Sequence, residues 1–420
     1  MLSRRLSCIS LLLLSALLAQ SAAAQAGQLD PAFGSGGIVT TDFGIQTGSQ
    51  NAATANAAVI QSDGKIVVVG AAPGSNDFPI GAVLRYNPNG SLDTTFGTGG
   101  IVTTAGIEDQ PFTSVALQSD GKIVAVAGGF SASVARFTTA GVLDSTFGTN
   151  GIVTLAEING PPQSGVLIQP DGKILVANHN LFRLLSTGQF DTSFGTNGAA
   201  FTAGFSATGL AQLSNGEIVV TSSASGSGFI TQYQSNGALD TTFGVAGQLA
   251  TPATAPGLVP LASGELLSGG SQTNSSLRGP NGSVAVGFAL SRYLATGITD
   301  ASFGTNGGVV AQVPNYFEVA ASGIALEPNG EIVIVGTANQ SSTVAFALAR
   351  FTATGQLDNA FGHNGTVVTS FANGFTMPSV SANGLTIQSD GKIVVVGSYS
   401  LFVPHRGVDE AIKVLRYLGS

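Results

Sequence analysis

The residues able to do chemistry are few, and most are tied to a repeat. His179, His363 and His405 are the three histidines, and a metal triad would need all of them to converge. His363 stands in a Phe-Gly-x-x-Gly turn expected to face away from the other two, so no histidine centre is expected. Cys8 is the single cysteine, which excludes disulfides and thiolate zinc, and it leaves no cysteine nucleophile once an N-terminal segment is removed. There is no Gly-x-Ser-x-Gly elbow, no phosphate loop and no dinucleotide fingerprint. Two carboxylate pairs, Glu108-Asp109 and Asp409-Glu410, have the chemistry of acid–base catalysis, but adjacent side chains seldom address one substrate. No catalytic residue, cofactor or metal is therefore assigned. The polar residues free of the repeat are His405, Arg406, Asp409 and Glu410 in segment 398–410, with Asp77, Glu108, Asp109, Tyr316 and Glu318. These are the candidates for facing a ligand.

Most of the remaining acid belongs to structure. Of 15 Asp residues, seven occupy the frame Leu-Asp-x-x-Phe-Gly or its variants, at Asp30, Asp93, Asp144, Asp191, Asp240, Asp300 and Asp358. Four more sit in Asp-Gly-Lys, at Asp63, Asp120, Asp171 and Asp390. An Asp such as Asp93 can accept backbone N–H groups one turn on, while Gly97 supplies a conformation other residues avoid and Phe96 packs between units. Calcium is the functional alternative for such turns, but the EF-hand spaces oxygen ligands at alternate positions, and here Phe stands where a ligand should be. A third mark, Arg85-Tyr86 and its equivalents up to Arg416-Tyr417, offers each Asp a guanidinium partner.

The elements that hold these residues repeat seven times. The Phe of the frame falls at Phe33, Phe96, Phe147, Phe194, Phe243, Phe303 and Phe361, with spacings of 63, 51, 47, 49, 60 and 58 residues. The mean of about 55 lies in the range of propellers and solenoids. Each unit holds an Ala/Val/Ile strand, an Asp-Gly, Asn-Gly or Ser-Gly hairpin turn, a Lys-Ile-Val-Val-Val strand, the Arg-Tyr strand, and a Gly-Ile-Val-Thr-Thr strand after the frame, or close variants of these. Four antiparallel strands make one blade, so the expected fold is an all-β, seven-bladed propeller. The chain opens with an outermost strand (Gly37 to Thr41) and closes with a third one (Ile412 to Tyr417). Their pairing in the last blade would close the ring and remove an exposed edge.

These three motifs in this order resemble the delta-60 repeat family of exported bacterial proteins, over the whole stretch from Leu29 to about Tyr417. Leu92-Asp-Thr-Thr-Phe-Gly-Thr-Gly-Gly100 and Gln61-Ser-Asp-Gly-Lys-Ile66 lie close to the family pattern. The resemblance implies a β-propeller of unknown function and brings no catalytic residues. The fourth and fifth units depart from it, with Gln232 in place of Arg and with Glu217 and Glu265 in place of Lys.

Residues 1–26 read as a secretory signal peptide: Arg4-Arg5, an apolar run from Leu6 to Ala19, and small residues suited to cleavage after Ala24 or Ala26. The run is shorter than the ~20 residues of a spanning helix. Residues 27–420 then form one domain, expected to be a monomer in the periplasm or outside the cell. The chain carries 15 basic and 23 acidic residues, a net charge of −8, or −10 without Arg4 and Arg5. Nucleic acid is excluded as a partner, since phosphate binding needs a basic face.

Strand order also sorts the loops. The Asp-Gly turns and the Leu-Asp-x-x-Phe-Gly frames fall on one face of the ring, and the irregular segments, including 269–282 and 398–410, fall on the other. The second face is therefore where a function is expected. Two classes compete: a binding or surface-interaction module for a protein or glycan ligand, and a propeller enzyme such as a lactonase-like hydrolase or polysaccharide lyase. The lack of convergent titratable groups favours the module.

Overall fold

The Asp-Gly turns form as their chemistry requires. In the first, the Gln61 amide donates to the Lys65 carbonyl and the Gly64 amide to that of Gln61. The Asp63 carboxylate accepts the Lys65 amide at 3.1 Å, and Gly64 takes φ 82°, a value glycine reaches without cost. Apolar runs on both sides then pair as a hairpin, Ile60 opposite Ile66 and Ala58 opposite Val68.

In the computed structural model this unit recurs as seven antiparallel four-stranded sheets, numbered here as blades one to seven. The structure describes residues 25–419, apart from 47–51, 75–77, 109, 129–131, 156–164, 202–205, 225–226, 253, 279–281, 283, 341–342 and 372–377. No helix occurs among the described residues. In blade one the strands run from the inside outward as Thr54–Ile60, Ile66–Pro73, Pro79–Tyr86 and Ile101–Glu108. Blade seven takes three strands from the C-terminal end, Ser379–Ile387, Ile393–Val403 and Gly407–Tyr417, and its outer strand, Ile38–Gln46, from the N-terminal end. The expected closure is therefore the observed one.

The core is divided among the seams. Strand side chains alternate in direction, so Ile66 and Val68 pack toward blade seven while Val67 and Val69 pack toward blade two. Seven such clusters fill the seven seams, with the repeat Phe side chains, from Phe33 to Phe361, buried in them.

The polar frame fastens each seam on the first face. The Gly97 amide donates to the Ala140 carbonyl of the next blade at 2.9 Å, and Gly34, Gly148, Gly195, Gly244 and Gly304 do the same at 2.8 to 3.0 Å. At the last seam the Gly362 amide reaches the carbonyl of Ala26 at 2.8 Å. Arg85 ties three parts together: Nε donates to Asp93 at 2.7 Å, Nη1 donates to the Thr139 carbonyl of blade two at 2.5 Å, and the guanidinium lies 4.5 Å above the Phe96 ring. Arg136, Arg183, Arg292 and Arg416 repeat this arrangement, and Arg350 stacks on Phe361 while pairing with Asp358, Glu327 and Glu331. The Asp residues thus have the structural partners the sequence suggested.

These partners predict an acid response. Burial alone would raise the Asp191 carboxyl, but the Ser193 hydroxyl and amide, with Arg183 and Lys173, bring it down to about 2. A carboxyl depressed in the folded state stabilises above its unfolded pKa and loses that contribution as pH falls through the folded one. Denaturation midpoints should therefore drop between about pH 4 and pH 2. Asp191→Asn should be less stable than wild type at pH 7 and show a shallower loss below pH 4.

Candidate functional site

Where the seven inner strands converge, they enclose a cavity of about 760 Å³ lined by residues of every inner strand, among them Asn56, Thr113, Thr208, Ser322 and Asn383.

The lining is built by a repeated β-bulge. In blade one, Ala55 pairs with Gly70 and Ala57 with Val69, leaving Asn56 as the extra residue. The same shift makes Thr113, Thr208, Ser322 and Asn383 the extra residue in blades two, four, six and seven, and blade five carries a shift between Thr254 and Gly257. A bulge re-aims the side chain it carries. Some of these side chains also bind the scaffold: Asn56 Nδ2 donates to the Phe112 carbonyl and Asn383 Nδ2 to the Ala55 carbonyl, both at 2.8 Å. Thr113 and Ser322 donate from their hydroxyls to carbonyls of their own blades, at 3.2 and 3.3 Å.

Two sets of glycines make room for this ring. Opposite the bulge, a Cβ on Gly70, Gly336 or Gly397 would fall within 1.9 to 2.2 Å of a carbonyl oxygen of the inner strand. Near the axis, a Cβ on Gly257 or Gly323 would fall 2.4 and 2.6 Å from Ile324 and Leu385 of the next blade. The resulting wall presents hydroxyl and amide groups beside the aliphatic side chains of Val166, Leu210, Leu258, Ile324 and Leu385, and no charged side chain among its described lining residues. It can bind by neutral hydrogen bonding and contact, and it offers no charge for acid–base work.

The residues chosen from sequence do not form a second site. Asp77 and Asp109 lie outside the described residues, as does the side chain of Glu108. Segments 269–282 and 398–410 were expected as irregular loops, yet they are largely strand: Leu266–Arg278 pairs with Val284–Tyr293, and Ile393–Val403 pairs with Gly407–Tyr417. Long hairpins satisfy the backbone of such segments without a core. His405 and Arg406 are exposed in the turn of the second hairpin, where His405 has φ 60°. Asp409 and Glu410 follow on one strand, so their side chains point to opposite faces. Tyr316 is half-buried and Glu318 is exposed where the inner strand of blade six begins.

Of these residues Glu410 is the buried one, on the third strand of blade seven and outside the lining of the cavity. It is 7 % exposed and accepts the Ala53 amide at 3.4 Å, just before Thr54. Burial, together with neighbouring Asp409, raises its carboxyl to about 6.

The bulge residues escaped sequence reasoning because the inner strands were treated as uniform. A signal exists: five residues before each hairpin turn stand Asn56, Thr113, Ser164, Thr208, Pro256, Ser322 and Asn383, and a glycine at Gly70, Gly336 and Gly397 marks the partner strand. Ser164 lies outside the described residues.

A ring of seven four-stranded blades around a polar channel mouth defines the chain as a β-propeller. Five of its repeats, at residues 61–96, 118–147, 213–243, 327–361 and 388–418, match a family described as a domain of unknown function (DUF5122) beta-propeller. No curated protein matches the chain. Among solved structures it is similar to a protein from Lactobacillus plantarum (12% identity, covering 84% of this chain and 96% of that one, TM-score 0.43). It is also similar to the Nup133 β-propeller domain of Vanderwaltozyma polyspora (10% identity, 90% and 97% covered, TM-score 0.39). A third is a Bacteroides caccae protein of unknown function (14% identity, 59% and 82% covered, TM-score 0.35). At these identities the likeness concerns the fold alone.

The state of Glu410 gives a second pH prediction, opposite in sign to that of Asp191. Its folded pKa lies above the unfolded one, so the protonated form is favoured by folding and stability falls as pH rises from about 4.5 to about 6. Glu410→Gln should raise stability at pH 7 by about 1–2 kcal/mol and leave it nearly unchanged at pH 4, measured by chemical denaturation.

Proposed function

We propose that this protein is an exported binding module that takes an uncharged, hydroxyl-rich ligand, a neutral glycan, at the mouth of its channel. The observation that carries the reading is the set of bulged hydroxyl and amide residues in the cavity lining, whose donors are largely held by the scaffold and whose oxygens are uncharged acceptors. A ligand with many hydroxyls can satisfy such a wall, whereas an anion finds no cationic side chain there. Without Trp in the chain, binding rests on hydrogen bonds and on contact with the aliphatic residues of the wall. The delta-60 repeat family is the reading we favour for its relatives.

An enzyme acting on an extracytoplasmic substrate is the second reading. Glu410 favours it, since a buried carboxyl with a raised pKa has the protonation suited to general acid work, although it does not line the channel cavity. A hydrolase or lyase needs a second group, and Asp409 points to the opposite face of its strand. Release of product from a glycan that depended on Glu410 would move the balance to this reading.

Export rests on the N-terminal segment, residues 1–24 of which lie outside the described residues. Of the two cleavage positions, that after Ala24 is the one we favour, because Ala26 provides the carbonyl for the last of the seven seam bonds. N-terminal sequencing of the exported protein should begin at Gln25; a start at Gly27 would contradict this.

Glycan-array screening of the purified protein should return neutral oligosaccharides. Thr208→Phe, which places a ring in the channel, should weaken that binding at least tenfold with little change in the melting temperature. Silence across the array, or unchanged binding by Thr208→Phe, would argue against this site.

A further inference from the structure

Blade four departs from its six siblings at the place where each of them carries a guanidinium. Gln232 stands there, and its Nε2 donates to Glu217 at 2.8 Å and to Asp240 at 3.1 Å. Two carboxylates therefore converge on neutral donors alone, Glu217 Oε2 also accepting from Asn215 Nδ2 at 2.8 Å. In blade one the equivalent positions hold Lys65, Arg85 and Asp93, with both cations on the Asp. Blade six shows what the same acidic pair requires: Glu331 and Asp358, the counterparts of Glu217 and Asp240, are both bound by Arg350. Neither Glu217 nor Asp240 has an ion-pair partner among the described residues.

A second observation comes from Gln232 itself. It is 3 % exposed, and its Oε1 has no hydrogen-bond partner. A buried amide oxygen without a partner is costly. Turning the amide about its last bond would place Oε1 between two carboxylates, an arrangement that only a cation makes favourable. The remaining surroundings also supply oxygen: Thr242 Oγ1 lies 2.6 Å from the other oxygen of Asp240. The carbonyl equivalent to that of Thr139 belongs here to Ala295, which has no guanidinium to accept.

We propose that blade four binds a hard divalent cation of the calcium type in place of the guanidinium. The Glu217 and Asp240 carboxylates and Gln232 Oε1 are its side-chain ligands, and water completes the shell. Calcium takes six to eight oxygen ligands and tolerates irregular geometry, which suits a donor set of two carboxylates and one amide. The cation would restore to this seam the charge that arginine supplies in the others. The site is separate from the channel and lies on the opposite face.

Calcium titrated by calorimetry into the folded chain should bind one ion per chain, at about 0.1–1 mM. Millimolar calcium should raise the melting temperature by about 2–4 °C. Gln232→Arg supplies the missing guanidinium, so it should abolish both effects and melt no lower than the calcium-loaded wild type. Glu217→Gln, which leaves the turn in place, should weaken calcium at least tenfold. The proposal is overturned if wild type binds no calcium in this range, if binding survives Gln232→Arg, or if Glu217→Gln binds as wild type does.

Discussion

The structure depends on one contact repeated at five of the seven seams: an arginine held by the Asp of its own blade, stacked on the Phe of the seam, and donating to a carbonyl of the next blade. Arg85 shows the full set, with Asp93, Phe96 and Thr139 as its partners. Each partner alone contributes modestly. Together they fix the angle between neighbouring blades, because a planar guanidinium can meet a carboxylate, a ring face and a carbonyl only in one orientation. Seven seams must close with no accumulated error, and the N-terminal Asp30 completes the last by binding Arg416 at 2.9 Å.

This contact also decides where function can reside. On the first face, outside blade four, the acid and base of the repeat are spent on one another. Lys65, Lys122 and Lys173 join the same Asp residues as the arginines, and the turns are nearly uniform in length. The second face carries no such duty. Its inner-strand bulges place polar side chains in the lining of the channel, held there by hydrogen bonds to the scaffold.

Sequence reasoning reached the fold because its signals were local and repeated. Asp63-Gly64 sets a turn, and the runs on either side of it set strands whose alternation feeds two seams at once. The strand Gly37 to Thr41 at the start and the strand Ile412 to Tyr417 at the end made the closure legible. The candidate site was less so. His405 and Asp409 looked like loop residues because segment 398–410 breaks the apolar rhythm, but a projecting hairpin needs only paired backbone. The bulges at Asn56 and Asn383 depend on register between strands, a property of the pairing and not of either strand alone. Gln232 was visible as a departure, and its meaning came only when Glu217 and Asp240 were seen to meet on it.

The central claim is that the first face is structural and the channel mouth on the second face binds. Hydrogen–deuterium exchange on the folded protein, with and without a bound neutral oligosaccharide, tests it most directly. The account predicts added protection at the leading residues of the inner strands, around Thr54 to Ala57, Thr208 to Leu210 and Ser322 to Ile324, with the Leu-Asp-x-x-Phe-Gly turns unchanged. Protection appearing at those turns while the inner strands stay unchanged would contradict it.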